Sequence, residues 1–174
     1  MKTYLEIQVP LDYDHPWLAE LRAACSHIPV RWQNGFFHIT MAFIDDTPMT
    51  EDLLPILDSH LNKAKAPTLV FDKLDAFSTN SMMHIIHLTS TDIPEDFLLL
   101  VSAIRIDLKK AGCIMESDFR LHVTLGRVMN HYITLSKLCE TLASVQSPKL
   151  SFCLKDVDYR VFRGTTLYET ELYR

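Results

Sequence analysis

Two stretches of the chain alternate large apolar and polar residues with a period of two. One is Phe36-Phe37-His38-Ile39-Thr40-Met41-Ala42-Phe43, and the other is Arg120-Leu121-His122-Val123-Thr124-Leu125-Gly126-Arg127. That period predicts half-buried strands, in which alternate side chains share a face. In the first, His38, Thr40 and Ala42 stand opposite Phe37, Ile39, Met41 and Phe43. In the second, Arg120, His122, Thr124 and Gly126 stand opposite Leu121, Val123 and Leu125. Each strand offers an imidazole beside a hydroxyl on a rigid support. Two copies of such a shelf point to one site built from two halves.

The remaining pattern supplies the frame. A strand is expected over residues 3–9, ended by Pro10, and then a helix from about His15 to His27 carrying Trp17, Leu18, Leu21, Ala24 and Cys25. Thr50 reads as the N-cap of a helix to about Lys63, and strands at roughly 68–77 and 82–90 make a hairpin. A helix follows from Pro94 to about Ala111, capped by Gly112. The second shelf strand is expected over 119–127, then a helix from about Thr134 to Val145. A closing hairpin of roughly 150–162 and 166–173 turns at Arg163-Gly164-Thr165. Each half reads helix, His-x-Thr strand, helix, hairpin, with one extra strand in front. The order predicts a pseudo-duplicated, bilobal α+β fold: two antiparallel-rich sheets with outer helices flanking a central cleft. It forms a single domain over 1–174, with pseudo-repeats of about 1–90 and 91–174.

Composition narrows the partners. The chain is 48% hydrophobic and 22% charged, with no apolar run long enough for a membrane span and no signal peptide. Cys25, Cys113, Cys139 and Cys153 are scattered without a Cys-x-x-Cys pair, which reads as reduced thiols in a cytoplasmic protein. A net charge of -5 lacks the basic excess that grips long nucleic acid. It favours a small anionic ligand or one RNA terminus, held by a local cluster such as Arg120, Arg127, Arg160 and Arg163.

A lone His-x-Thr triplet is a weak signal, and this chain has a third, His87-Leu88-Thr89. The duplication selects among them: His38 and His122 occupy the same slot in their halves, whereas His87 lies in a hairpin whose counterpart has no such triplet. His87 is therefore set outside the pair. His84 and His87 face opposite sides of a strand and read as hairpin surface residues rather than a metal pair. Trp32 and Phe36 are either packing residues or platforms for a base.

His38-Ile39-Thr40 and His122-Val123-Thr124-Leu125-Gly126-Arg127, with the closing Arg163-Gly164-Thr165-Thr166-Leu167-Tyr168, resemble the motifs of the two-histidine (2H) phosphoesterase superfamily. Its members include the 2′-5′ RNA ligase or RNA 2′,3′-cyclic phosphodiesterase proteins. The resemblance implies a monomeric, metal-independent phosphodiesterase with no cofactor. Its catalytic residues would be His38 and His122, and its phosphate-binding residues Thr40, Thr124, Arg127 and Arg120. The substrate would be a 2′,3′-cyclic phosphate or 2′-5′ linkage of an RNA end or nucleotide. The departure is Met41-Ala42-Phe43-Ile44-Asp45-Asp46 after the first motif, which brings two carboxylates near the strand end.

The chemistry fits the residue types. Two imidazoles can take a proton from water and give one to the leaving oxygen, and two hydroxyls can donate to the phosphoryl oxygens. The resemblance alone leans to His122 as the base. Arg120 has the parity of the shelf. Arg127 points away in a regular strand, and a bulge or strand end at Gly126 would return it, either to a phosphate or to a bracing salt bridge. The rival readings are the same chemistry on a small nucleotide, such as ADP-ribose 1″,2″-cyclic phosphate, and a non-catalytic module that holds an RNA end or phosphorylated ligand.

Overall fold

A computed structural model describes residues 1–48 and 50–174, the side chain of Thr50 excepted. The first half runs β1 (Thr3–Val9), α1 (Pro16–Ala24), β2 (Arg31–Trp32), β3 (Phe37–Ile44), a short 3-10 turn (Thr50–Asp52) and α2 (Leu54–Leu61). It ends with β4 (Thr68–Phe71), β5 (Lys73–Ser78) and β6 (Met83–Thr89). The second half runs α3 (Glu95–Lys110), β7 (Val123–Met129), α4 (Leu135–Ala143), β8 (Leu150–Cys153), β9 (Asp156–Val161) and β10 (Thr166–Glu171). The helix ends follow local chemistry. In α1, Pro16 opens the first turn and the His15 ring accepts from the Trp17 amide. Glu95 and Asp96 begin α3, and Lys109 and Lys110 end it, as the helix dipole favours. Gly112 then turns the chain at φ 95°. Thr134 caps α4 by accepting from the Lys137 amide. The cap expected from the Thr50 side chain lies outside the described residues.

The strands order as β10-β9-β1-β3-β7-β6-β5, with β2 beside β7, and every pair is antiparallel. The path is continuous, yet its two arms meet through a single residue pair, Ile39 with Val123. The arms do not coincide with the halves of the sequence. The β5-β6 hairpin of the first half pairs with β7 of the second, and the β9-β10 hairpin of the second pairs with β1 of the first. Helices α2 and α3 pack together, with α3 against β3, while α4 packs against β5 and α1. Each arm is thus built by exchange between the halves.

Both long hairpin strands break where a single strand was expected. Leu69 and Phe71 leave β5 to pair β4 with β8, forming a separate two-stranded sheet. At the break Asp72 accepts from the amide and the hydroxyl of Thr91.

The alternation expected for the two shelf strands slips once in each. Thr40 pairs with Glu6 and Ala42 with Leu5, so Met41 is an extra residue. Thr124 pairs with His87 and Gly126 with Ile86, so Leu125 is an extra residue. A bulge reverses the parity beyond it. Phe43 therefore returns to the face of Thr40, and Arg127 to the face of Thr124. Gly126 turns to the other side, where the expected shelf position is lost. A Cβ there would sit 2.6 Å from Val30 Cγ1 and 2.9 Å from Trp32 Cε3. Trp32 is accordingly a packing residue. Gly126→Ala should force the β2 strand outward and cost about 1–3 kcal/mol. Thermal unfolding should then show the melting temperature lower by at least about 2–4 °C, partly restored by adding Val30→Ala. An unshifted melting temperature would contradict this packing.

Candidate active site

The Ile39–Val123 pair sets the geometry. Continuing that register places Thr40 across from His122 and His38 across from Thr124. The two histidines stand diagonally about that bridge, close enough for the charge of His122 to act on His38. The four residues expected from the sequence thus meet on one face, in reciprocal positions about the buried pair. His122 lies just ahead of β7, which begins at Val123 rather than at residue 119.

Each imidazole is oriented by the backbone. The Nδ1 of His122 lies 2.9 Å from the Arg120 carbonyl oxygen, two residues back. His87 Nδ1 makes a longer contact of the same kind, 3.4 Å from the Ile85 carbonyl oxygen, and the backbone of Phe36 acts on His38. A carbonyl only accepts, so Nδ1 of His122 carries the hydrogen and its Nε2 is left for the cleft, whereas His38 Nε2 lies 3.3 Å from Glu6 Oε2. Burial is the main cause that lowers both site histidines. For His38 the charges of Arg127, His122 and Arg160 add to it, and for His122 those of Arg120 and Arg127 do.

The arginines divide as the bulges dictate. Arg127 influences both imidazoles and donates to Gln33 Oε1 at 3.1 Å. Among the described residues no carboxylate pairs with it, so the bracing partner is a neutral amide rather than a salt bridge. Arg120 lies over the Phe77 ring, 4.3 Å from its centroid. Arg163 lies over Phe162 and is exposed. A groove of about 630 Å³ leads away from Thr40 and His122, walled by Phe43, Phe77, Phe119, Arg105 and Arg120. Arg105 ties its rim, donating to the Ser117 carbonyl at 2.6 Å. Phe36 is 76% exposed, free of the packing that holds Trp32. Asp45 and Asp46 are engaged elsewhere, with the Glu116 amide and the N-terminus.

Three neighbours escaped the pattern. Glu6 is only 4% exposed, with Oε2 3.3 Å from His38 Nε2 and Oε1 3.5 Å from Arg160 Nη1. Burial raises its carboxyl to about 6. Its place in the polar alternation of β1 marked the face, but nothing local showed that β9 and β3 would cover it. Tyr4 and Phe77 flank His38 and His122, with ring centroids at 6.5 and 5.3 Å.

The reading of His84 and His87 as surface residues is corrected. They do face opposite sides, but both are buried. His84 bonds Ser78 Oγ and the Ile133 carbonyl. His87 packs edge-on to His122, with centroids 5.8 Å apart, because Thr124 pairs with it. All four cysteines are unpaired: Cys25 and Cys113 are buried, and Cys153 is exposed. Among the described residues no three His, Cys, Asp or Glu side chains cluster as a metal site would need. No helix there is long and apolar enough to cross a membrane.

Neither a protein-family model nor a curated protein matches the sequence. Solved structures do match. Kluyveromyces marxianus Usb1 superposes with a TM-score of 0.73 at 14% identity over 98% of each chain. A phosphoesterase crystal structure gives 0.64 at 19% over 99% of each chain. E. coli LigT complexed with 3′-AMP gives 0.64 at 17% over the full length of both. At such identities the likeness is one of fold. The architecture is the mixed α+β, mostly antiparallel fold of the two-histidine phosphoesterases, as the motif resemblance implied.

Burial lowers the His87 imidazole from 6.5 to about 4. Between those values the unfolded chain takes up a proton that the folded protein refuses, so this group's contribution to stability is lost as pH falls through that window. His87→Phe removes the effect. Denaturant unfolding should show the stability of the unaltered protein dropping relative to the variant by about 3 kcal/mol from pH 7 to pH 4. A difference independent of pH would mean His87 is not held neutral.

Proposed function

We propose that the protein is a phosphodiesterase that hydrolyses a 2′,3′-cyclic phosphate, or a 2′-5′ linkage, of an RNA end or nucleotide by two-histidine acid–base catalysis. The observation that carries this reading is the reciprocal placement of His38 beside Thr124 and His122 beside Thr40 across one strand pair. A phosphoryl group seated on that pair has an imidazole on each side, as an in-line displacement requires. One Nε2 takes the proton of the attacking water. The other gives a proton to the leaving ribose oxygen as its bond to phosphorus breaks. Thr40 and Thr124 donate to the non-bridging oxygens, and Arg127, poised near both imidazoles, neutralises the charge that gathers there. Arg120 and the aromatic walls of the adjoining groove suit the sugar and base, and its volume lies in the range of small-ligand sites.

The comparisons support a nucleotide ligand in kind. LigT is seen with 3′-AMP and with ATP, and Usb1 with uridine monophosphate. Several arginines around the site, on a chain of net charge -5, fit a local anion site rather than a long duplex track. A screen over 2′,3′-cyclic nucleotides, 2′-5′ dinucleotides, cyclic-phosphate RNA ends and ADP-ribose 1″,2″-cyclic phosphate identifies the substrate.

Against the preferred substrate, His38→Ala and His122→Ala should each lower kcat by about 10²- to 10⁴-fold. The double variant should be little worse than either. His87→Ala should lose less than either. Thr40→Val and Thr124→Val should raise KM as well as lower kcat. Turnover persisting in both histidine variants would move the chemistry to other residues, and no turnover of any of these substrates by the unaltered chain would leave a binding module as the better reading. In a separate assay, hydrolysis should continue in excess EDTA. Loss on chelation that a divalent ion restores would require a metal-dependent reaction instead.

A further inference from the structure

The third His-x-Thr triplet, His87-Leu88-Thr89, takes no part in the chemistry above, yet both of its polar residues reach His122. Thr89 Oγ1 donates to the Leu121 carbonyl at 2.6 Å, and that carbonyl belongs to the peptide unit that enters His122. The His87 ring stands edge-on to the His122 ring, with 5.8 Å between centroids. Leu88 lies between them on the opposite, core-facing side, paired with Val123. Period-two alternation thus aims the imidazole and the hydroxyl of the triplet at one neighbour.

The backbone holds the two site histidines unequally. His38 lies inside β3, paired with Gln8 of β1 and flanked by the pairs at Phe37 and Ile39. β7 begins only at Val123, so His122 stands beyond the last ladder pair, Leu88 with Val123. Residues 115–122 form neither helix nor strand. The bond from His122 Nδ1 to the Arg120 carbonyl orients the ring within that segment, but it does not tie the segment to the sheet. Side chains from outside supply the ties. Asp45 accepts from the Glu116 amide at 2.9 Å, Arg105 donates to the Ser117 carbonyl at 2.6 Å, and Thr89 donates at Leu121. Of these anchors Thr89 holds the chain nearest to His122.

We propose that Thr89 is a positioning residue, whose hydroxyl replaces the missing strand bond and holds the His122 imidazole over the phosphate seat, with the His87 ring as its lateral stop. Thr89 acts on the reaction through His122, and the walls of the adjoining groove do not include it. The residue type fits the task. A β-branched side chain suits a strand end, and the hydroxyl supplies the donor that the Leu121 carbonyl needs. Valine has the same shape without the donor, and serine keeps the donor without the methyl. Displacing a reacting group by about 1 Å can cost about 10²-fold in rate, so one lost tie is enough to matter. The kinetic consequence rests on the two-histidine reading above, and the geometric one does not.

The test compares Thr89→Val with Thr89→Ser in the full chain. In the unaltered protein the ring protons of His122 lie against the Phe77 and His87 rings, so their NMR resonances should be displaced from those of free histidine. Thr89→Val should move them toward the free values and leave those of His38 nearly in place, whereas Thr89→Ser should keep them. With an active substrate, Thr89→Val should lower kcat by about 10- to 10²-fold with KM little changed, and Thr89→Ser should recover most of the loss. His122 resonances at the free values in the unaltered protein would overturn the proposal even if Thr89→Val failed to fold. Unmoved His122 resonances in a folded Thr89→Val variant would do the same. So would a kcat loss as large in Thr89→Ser as in Thr89→Val, or a loss that appears in KM instead. Because the spectra need no substrate, a chain that hydrolyses no phosphodiester would refute the proposed activity and leave the spectra to decide the positioning.

Discussion

One strand contact organises this protein: the pairing of Ile39 with Val123. Both residues are fully buried, and both are β-branched, which suits a pleated surface packed from one side. Their pairing is the only register in which β3 meets β7, so the two arms of the sheet are free to diverge on either side of it. Divergence opens a cleft, and the shared pair fixes what lines its floor. Because side chains alternate, burying Ile39 and Val123 obliges His38, Thr40, His122 and Thr124 to face the opposite way.

The exchange of hairpins explains why that arrangement is rigid. β3 is held on its outer edge by β1, and β7 by β6, each backed by strands or helices from the other half. Each of these strands is paired along the length of its outer edge, so neither can slip by one residue without moving a whole arm. The matched bulges at Met41 and Leu125 then act on this rigid frame. They carry Phe43 and Arg127 back to the cleft, giving one half an aromatic wall and the other a cation. The pseudo-symmetry of the backbone is thereby filled with unlike side chains, as it is again at Glu6 and His87. A symmetric phosphate seat with asymmetric surroundings suits a reaction whose two proton transfers run in opposite directions.

Much of this was legible in the chain. Helix and strand order, the cap at Gly112, and the shared face of His38 with Thr40 and of His122 with Thr124 all follow from local rules. Period, capping chemistry and backbone conformation act within a few residues, so the sequence carries them openly. The third His-x-Thr triplet was also visible, and duplication set it apart from the other two. Its burial against His122 was not visible, because it depends on which strand of the second half the first hairpin would join.

What the sequence by itself determined, then, is the pair of imidazole–hydroxyl shelves and the elements that carry them. Tertiary structure alone decided three things: where the alternation slips, which polar face is covered, and which side chain stands beside each histidine. A bulge is set by the register of a partner strand distant in sequence, as Leu5 and Glu6 set it for Met41. Burial of a charge such as Glu6 arises only when β9 and β3 close on β1 from both sides. These are contacts between residues far apart along the chain. No local pattern encodes them, because the free energy that selects them exists only once the strands have met.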